Sequence, residues 1–355
     1  MLELKEVSKQ IADETHLYPT SLVLEPGHFN VLLGTTLAGK TTLMQLMAGL
    51  EKPTSGEIWF DGKNVTGVAV QKRNVSMVYQ QFINYPNMSV FDNIASPLRV
   101  GRLPASDVKK RVGEMAELMK ISAMLDRRPS ELSGGQQQRT AMARALVKDS
   151  DLVLLDEPLA NLDFKLREEL RDELPRIFQE RNCVVVYATT EPAEALLLGG
   201  STAALHKGTV VDFGSSSEIY RRPANLTSAM VFSEPPINTI SVTKSGKKMI
   251  LNDEVSWTVS KSGLPDGAYT VGIRPHHVTP EKNGNRPVKV SGTVKVAELS
   301  GSESTIHFDA FGQSWISLSH GIHPFEAGSK AELHFDAANC LYFNSDGSFV
   351  TASEV

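Results

Sequence analysis

The sequence predicts an α/β domain built on a mostly parallel sheet, joined to a smaller β-rich domain, and three observations carry that expectation. A glycine-rich loop, Gly34-Thr35-Thr36-Leu37-Ala38-Gly39-Lys40-Thr41, lies between a short apolar run and a helical stretch. Apolar strands alternate with amphipathic helices up to about residue 235, the pattern of strands packed under crossover helices. Beyond that point short β-rich runs are separated by glycine, asparagine and serine turns. A length of 355 residues suits two domains or three.

Residues 1–7 alternate apolar and polar like a strand and lack the apolar core of a signal peptide. The run Val31-Leu32-Leu33 is a strand feeding the loop, which matches G-x-x-x-x-G-K-[ST] at every fixed position. After Lys40, residues Leu43, Leu46, Met47 and Leu50 recur at helical spacing until Pro53-Thr54-Ser55-Gly56 breaks the pattern. Residues 57–60 followed by Asp61-Gly62 read as a strand entering a tight turn, part of a small antiparallel element beside the core. A helical insertion is expected over about residues 81–130, with Ser89 and Asp92 spaced as a capping box and Val108, Val112, Met115 and Met119 on one stripe. Residues 152–155 form an apolar strand ending in Asp156-Glu157, and residues 183–188 a second. Leu166, Leu170, Leu174 and Ile177 place an amphipathic helix between them. The runs 269–273, 305–308 and 330–335 are strands of a compact, barrel-like domain.

Hydrophobic residues make up 41% and charged residues 22%, enough apolar surface for sizeable cores without the charge excess of a disordered chain. Lysines and arginines number 36 against 41 aspartates and glutamates, a net charge of −5, so there is no strong electrostatic footprint for nucleic acid. Cys183 and Cys340 make neither a disulfide framework nor a zinc pattern, which fits a reducing cytosol. No run of 18 apolar residues occurs, so any role at a membrane comes through a partner.

The chemistry follows from residue types. Backbone N–H groups of the glycine loop and the N-terminus of the helix it opens suit phosphate oxygens, with Lys40 reaching the β- and γ-phosphates. Thr41 offers a hydroxyl to Mg²⁺, and Asp156 is placed to hold the same ion. Glu157, next along, is the expected general base that polarises water for in-line attack.

A further segment, Leu132-Ser133-Gly134-Gly135-Gln136-Gln137-Gln138-Arg139, precedes Asp156 and opens a helical stretch. With the glycine loop, Gln80, Asp156-Glu157 and Ala160-Asn161-Leu162-Asp163 in the same order, the chain resembles the ATP-binding cassette family. The resemblance implies a P-loop NTPase cassette with a helical insertion over residues 1–235, and an ATPase activity. It implies that Gly34, Thr35, Thr36, Leu37, Ala38, Gly39, Lys40, Thr41 and Thr42 hold ATP, that Thr41, Gln80 and Asp156 hold Mg²⁺, and that Glu157, Lys40, Gln80 and Thr190 are catalytic. In that family two cassettes pack head to tail. Ser133, Gly134, Gly135 and Gln136 of one chain would then cap the γ-phosphate held by the other, and Asp163 would cross the interface. Residues 81–86, with Phe82 and Tyr85, would line a groove for a cytoplasmic helix of a membrane subunit, core packing being the alternative for the two aromatics.

Two departures stand out. Thr190 occupies the position where the family has a histidine that contacts the γ-phosphate; it also suits a helix N-cap ahead of Pro192. Losing a charge-assisted hydrogen bond costs about 1.5–3 kcal/mol, roughly a ten- to hundredfold slower reaction. The aromatic that stacks on adenine in the family falls about where Ile11 stands, with His16 or Tyr18 as substitutes.

In the C-terminal third, Val271-Gly272-Ile273-Arg274-Pro275, residues 296–303 and Phe335-Asp336 resemble the regulatory domain of sugar-importer cassettes of the maltose and glycerol phosphate type, an OB-like β-barrel expected over residues 236–355. His276, His277, His320 and His323 read as surface or packing residues rather than metal ligands. The expectation is an ATPase subunit energising import of a carbohydrate or polyol, with glycerol-type importers that use two different ATPase chains as a subtype. Its partners would be integral membrane permease subunits, a second ATPase chain of the same or a different kind, and indirectly a periplasmic or lipoprotein substrate-binding protein. It would sit peripherally on the cytoplasmic face of the inner membrane. The alternatives are a soluble cassette that clamps DNA or ribosomes, whose usual coiled-coil insertion or second cassette is missing here, and a regulatory ATP sensor.

Overall fold

The computed structural model describes residues 1–352 apart from 82, 161, 180, 260–263 and 283. Contacts divide the chain into two compact units, Met1–Ser216 and Ser217–Val355.

The first unit holds β1 (Leu2–Ile11), β2 (Glu14–Leu24), β3 (Phe29–Leu33), β4 (Ser55–Phe60), β5 (Lys63–Asn64), β6 (Val75–Val78), β7 (Leu152–Asp156), β8 (Val184–Thr189), β9 (Ser201–His206) and β10 (Thr209–Ser215). Its helices are α1 (Lys40–Ala48), α2 (Val90–Val100), α3 (Ala105–Leu118), α4 (Gly134–Leu146), α5 (Phe164–Gln179) and α6 (Pro192–Leu198). A six-stranded sheet runs β10-β9-β3-β8-β7-β6, parallel except where β10 pairs antiparallel with β9. Every residue of β3, β7 and β8 is buried, which explains why these strands read as unbroken apolar runs. A separate antiparallel sheet runs β2-β1-β4-β5, the element expected from residues 57–62. Asp61 (φ 46°) and Gly62 (φ 73°) make the left-handed turn between β4 and β5.

Register aligns the sheet's carboxyl ends. Leu33 of β3 pairs with Thr189 of β8, and Asp156 of β7 pairs with Ala188. The residues just past these ends, Gly34, Glu157 and Thr190, therefore emerge together, where open α/β sheets bind ligands. In the helical insertion, Ser89 Oγ caps α2 by accepting from Asp92 N at 3.0 Å. Val108, Val112 and Met115 of α3 and Met119 at its end are buried, as their spacing predicts.

The second unit takes up all but the first residue of α7 (Ser216–Arg221), then α8 (Leu226–Val231) and a series of antiparallel strands. These are β11 (Asn238–Ser245), β12 (Lys248–Ile250), β13 (Ser256–Thr258), β14 (Gly267–Ile273), β15 (Val278–Thr279), β16 (Pro287–Leu299), β17 (Glu303–Ala310), β18 (Gln313–His320), β19 (Lys330–Asp336), β20 (Leu341–Phe343) and β21 (Phe349–Ala352). One sheet runs β13-β12-β11-β14-β20-β21 and the other β15-β19-β16-β17-β18. The second nearly closes on itself, because Ser317 Oγ of β18 donates to Val278 O of β15 at 2.5 Å. Asn238 ties the two sheets by exchanging both of its amide bonds with the Ile316 backbone at 2.7 Å. This is the expected barrel, filled by Trp257, Phe308, Trp315, Phe335 and Tyr342.

The division between the units falls before the expected boundary at residue 235. The segment between packs on the C-terminal strands: Leu226 N donates to Gly347 O at 2.8 Å, and Phe349 N to Ala224 O at 3.1 Å. These backbone bonds carry no signature in side-chain pattern. His276 and His277 lie ring to ring at 4.2 Å, and burial pushes His277 down to about 4. Among the described residues no helix is long and apolar enough to cross a membrane.

Candidate active site

The glycine loop leaves β3 under tight constraint. A Cβ on Gly34 would meet Leu205 O at 2.5 Å, and Leu37 (φ 67°) and Gly39 (φ 103°) adopt left-handed backbone. Gly39 is the N-cap of α1 and brings no side chain, so the first N–H groups of the helix are left for a ligand. Leu37 is 95% exposed on the loop's outer turn.

Lys40 is buried, and its Nζ donates to Gly34 O at 2.7 Å and Thr35 O at 3.1 Å while lying 3.4 Å from Glu157 Oε1. Burial lowers its pKa, and the charges of Glu157 and Asp156 oppose that shift. Thr41 Oγ1 donates to Asp156 Oδ2 at 2.8 Å. Asp156 is 2% exposed, and burial raises its pKa above the ordinary 3.8, with Thr41 pulling it back down. Gln80 Nε2 donates to Glu157 Oε2 at 3.0 Å. Glu157 sits at φ 46°, a conformation that costs a non-glycine residue on the order of 1–3 kcal/mol. Its N–H donates to Ala188 O at 3.0 Å, which anchors the strained turn to β8.

Around these groups lies a cavity of 520 Å³, bordered by the loop from Thr36 to Thr42 and by Gln80 and Glu157. Both candidate aromatics line it, His16 and Tyr18, whereas Ile11 does not. Sequence reasoning missed Lys207 and Gly208, the turn between β9 and β10, which closes one wall. Gly208 N donates to Ala38 O at 3.0 Å, and its φ of 77° with His16 O nearby leaves no room for a Cβ. The only signal was a Lys-Gly turn between two strands.

The residues that the resemblance assigns to a second chain stay outside this cavity. Ser133 caps α4, accepting from Gln136 N while Gln136 Oε1 accepts from Ser133 N at 3.0 Å. Ser133 and Gly134 are exposed, Gly135 is half-buried, and none of them lines the cavity. Gln138 of α4 donates to the Pro158 carbonyl, which connects that helix to the turn after Glu157. Asp163 is exposed, and its Oδ1 accepts from Leu166 N at 3.0 Å to cap α5. Thr190 follows β8 as expected but is not a helix cap. That place is taken by Glu191, whose N–H donates to Thr189 Oγ1 at 3.0 Å. Next in the chain after Thr190, Glu191 pairs with Arg167 at 3.0 Å, while buried Glu194 accepts from Thr189 at 2.6 Å and Tyr187 at 3.0 Å. Tyr85 is 47% exposed with the Arg144 guanidinium 4.8 Å above its ring, so it is not a core aromatic. Phe82 and Asn161 lie outside the described residues.

A buried carboxylate, a hydroxyl on it and an adjacent amide are oxygen donors suited to a hard divalent cation that completes its shell with phosphate and water. A lysine and an uncapped helix N-terminus beside them suit the phosphates. Such a fold and site define an ATP-binding cassette. Residues 17–160 match the family described as ABC transporter, and residues 271–343 match the TOBE domain. The chain is 36% identical to the sn-glycerol-3-phosphate import ATP-binding protein UgpC of Yersinia enterocolitica over 97% of each chain. It is 34% identical to the UgpC of Pectobacterium atrosepticum, again over 97% of both. An uncharacterized ABC transporter ATP-binding protein, YcjV of Escherichia coli, is 30% identical over 97% of this chain and 98% of its own. The dimeric structure of MJ0796, a bacterial ABC transporter cassette, superposes with a TM-score of 0.57 at 28% identity, covering 61% of this chain and 99% of that one. The chain belongs to the ABC transporter family. It is an ATP-hydrolysing cassette with a C-terminal TOBE domain.

Proposed function

We propose that this chain is the ATPase subunit of an importer for a carbohydrate or polyol, glycerol and its phosphate included. The observation that supports this most is similarity along 97% of the chain, cassette and TOBE domain together, to proteins named for sn-glycerol-3-phosphate import. ATP enters with its phosphates on the loop from Gly34 to Thr42, and Lys40 exchanges the carbonyls of Gly34 and Thr35 for phosphate oxygens. Thr41, Asp156 and Gln80 would hold Mg²⁺, which would supply positive charge to offset that of the phosphates. Glu157, its backbone held by Ala188, orients the attacking water, since phosphoryl transfer asks mainly for positioning. Tyr18 or His16 offers a ring to adenine.

The cassette works as a pair. Ser133, Gly134, Gly135 and Gln136 are remote from their own chain's cavity, and as an exposed helix start they suit the γ-phosphate held by a second ATPase chain. Asp163, also exposed, meets that chain. Ile83, Tyr85 and Met88 expose apolar surface beside α2, fit for a cytoplasmic helix of an integral membrane permease. The chain then lies peripherally on the cytoplasmic face of the inner membrane, and a periplasmic or lipoprotein substrate-binding protein acts through the permease.

Uptake in cells that lack this chain tests the reading. Uptake of a labelled sugar, of glycerol or of glycerol 3-phosphate is expected to fall, and the wild-type chain but not Glu157→Gln restores it. Uptake of every such solute at the wild-type rate would overturn the assignment, and restoration by Glu157→Gln would favour an ATP sensor.

A further inference from the structure

The C-terminal unit contains a cavity of 750 Å³ that ATP hydrolysis does not use. Arg221, Arg222 and Arg274 line it, and no aspartate or glutamate does. Arg274 is 4% exposed. Its Nη1 donates to Phe232 O at 2.9 Å and its Nη2 to Tyr220 O at 2.6 Å, while its Cζ lies 3.8 Å from the centroid of the Tyr220 ring. These contacts fix the guanidinium plane without neutralising its charge, because carbonyls and a ring satisfy only part of a five-donor cation. Burying a charge without an opposite partner is costly, and an incoming anion relieves that cost. Arg221 ends α7 and Arg222 follows it, and both are exposed. The rest of the wall mixes the polar His277, Asn339 and Thr351 with an apolar strip that includes Leu341, Phe349 and Val350.

We propose that this cavity binds a small organic anion bearing a phosphate or carboxylate. Its charged group sits between Arg221, Arg222 and Arg274, and its carbon skeleton lies against Leu341 and Phe349. The chemistry is that of charge-assisted hydrogen bonds to a planar fork, with a preformed floor in Arg274 and two adaptable arginines above it. An anion of this kind gives the C-terminal unit a ligand of its own. The site lies wholly within that unit and does not rest on the import reading.

Calorimetric titration of the full chain, with the ATP site saturated by ADP and Mg²⁺ so that the glycine loop cannot answer, tests the site. The probes are 3-phosphoglycerate and citrate, with erythritol as the uncharged control. At least one anion is expected to bind with a Kd below about 1 mM. Erythritol is expected not to bind. The double variant Arg221→Ala/Arg222→Ala should weaken the anion at least tenfold while ADP affinity stays unchanged, which shows that the protein is still folded. Arg222→Glu alone should weaken it further by repelling the ligand. No binding of either anion up to about 10 mM overturns the proposal. So does equal affinity in the double variant.

Discussion

At the end of β7, Asp156 is buried against Thr41 with its carboxyl pushed up from 3.8, chiefly by burial. Native Asp156 thus holds its proton more tightly than the unfolded chain does, and stability falls as pH rises from about 4 through the raised value. Above that window the full cost of the buried carboxylate remains. Asp156→Asn keeps an oxygen for the Thr41 hydroxyl and removes the charge, so the nucleotide-free variant is expected to melt higher at pH 7 by a few degrees, about 2–4 °C per kcal/mol. The gap should close as pH falls towards about 4. Thermal melts across pH check both statements, and a variant less stable than wild type at pH 7 would refute them. Thr190 is the second residue at issue. Its neighbour Glu191 pairs with Arg167 at 3.0 Å, and position 190 itself follows the carboxyl end of β8, where the resemblance places a histidine. Thr190→His is expected to raise the steady-state ATPase rate of the purified chain roughly ten- to hundredfold, the value of one charge-assisted bond. An unchanged rate, with activity rising steeply with protein concentration, would show that this chain forms a competent pair with Thr190 as it stands.

Elements differ in how far their residues announce them. The buried strands β3, β7 and β8 were legible because a strand covered on both faces is dominated by apolar residues, and the glycine loop was legible because its chemistry requires fixed residues at fixed spacing. Helix α3 was legible from its stripe of Val108, Val112 and Met115. What could not be read was made by backbone. Glu191 rather than Thr190 starts α6, because Thr189 spends its hydroxyl on the Glu191 N–H and on Glu194, and threonines in adjacent positions look alike in a sequence. Lys207 and Gly208 enter the site only because β9 lies beside β3 and brings their turn against Ala38, a consequence of strand order that no local pattern encodes. The same reason hides the cavity of the C-terminal unit, whose Arg222 and Arg274 stand 52 positions apart in sequence and meet only when the residue after β14 reaches the end of α7.

On the scale of the whole molecule, the two units own separate apolar cores. Leu2, Leu32, Leu43 and Val186 belong to one, and Val271, Phe308, Trp315 and Tyr342 to the other. Each core is large enough to fold cooperatively, so calorimetry of the full chain is expected to show two transitions rather than one. ATP binds only the unit Met1–Ser216, and a ligand stabilises the state it binds by about 2.7 kcal/mol at a hundredfold excess over its Kd. With Glu157→Gln keeping ATP and Mg²⁺ intact, the cassette transition should therefore rise by roughly 5–10 °C while the TOBE transition stays within a degree or so. The organic anion should do the reverse, because Arg221, Arg222 and Arg274 lie in the other unit. A single transition that moves with either ligand would mean that the units share their free energy. Occupancy of the arginine cavity would then reach the ATPase through stability alone, without any change in the residues that touch the phosphates.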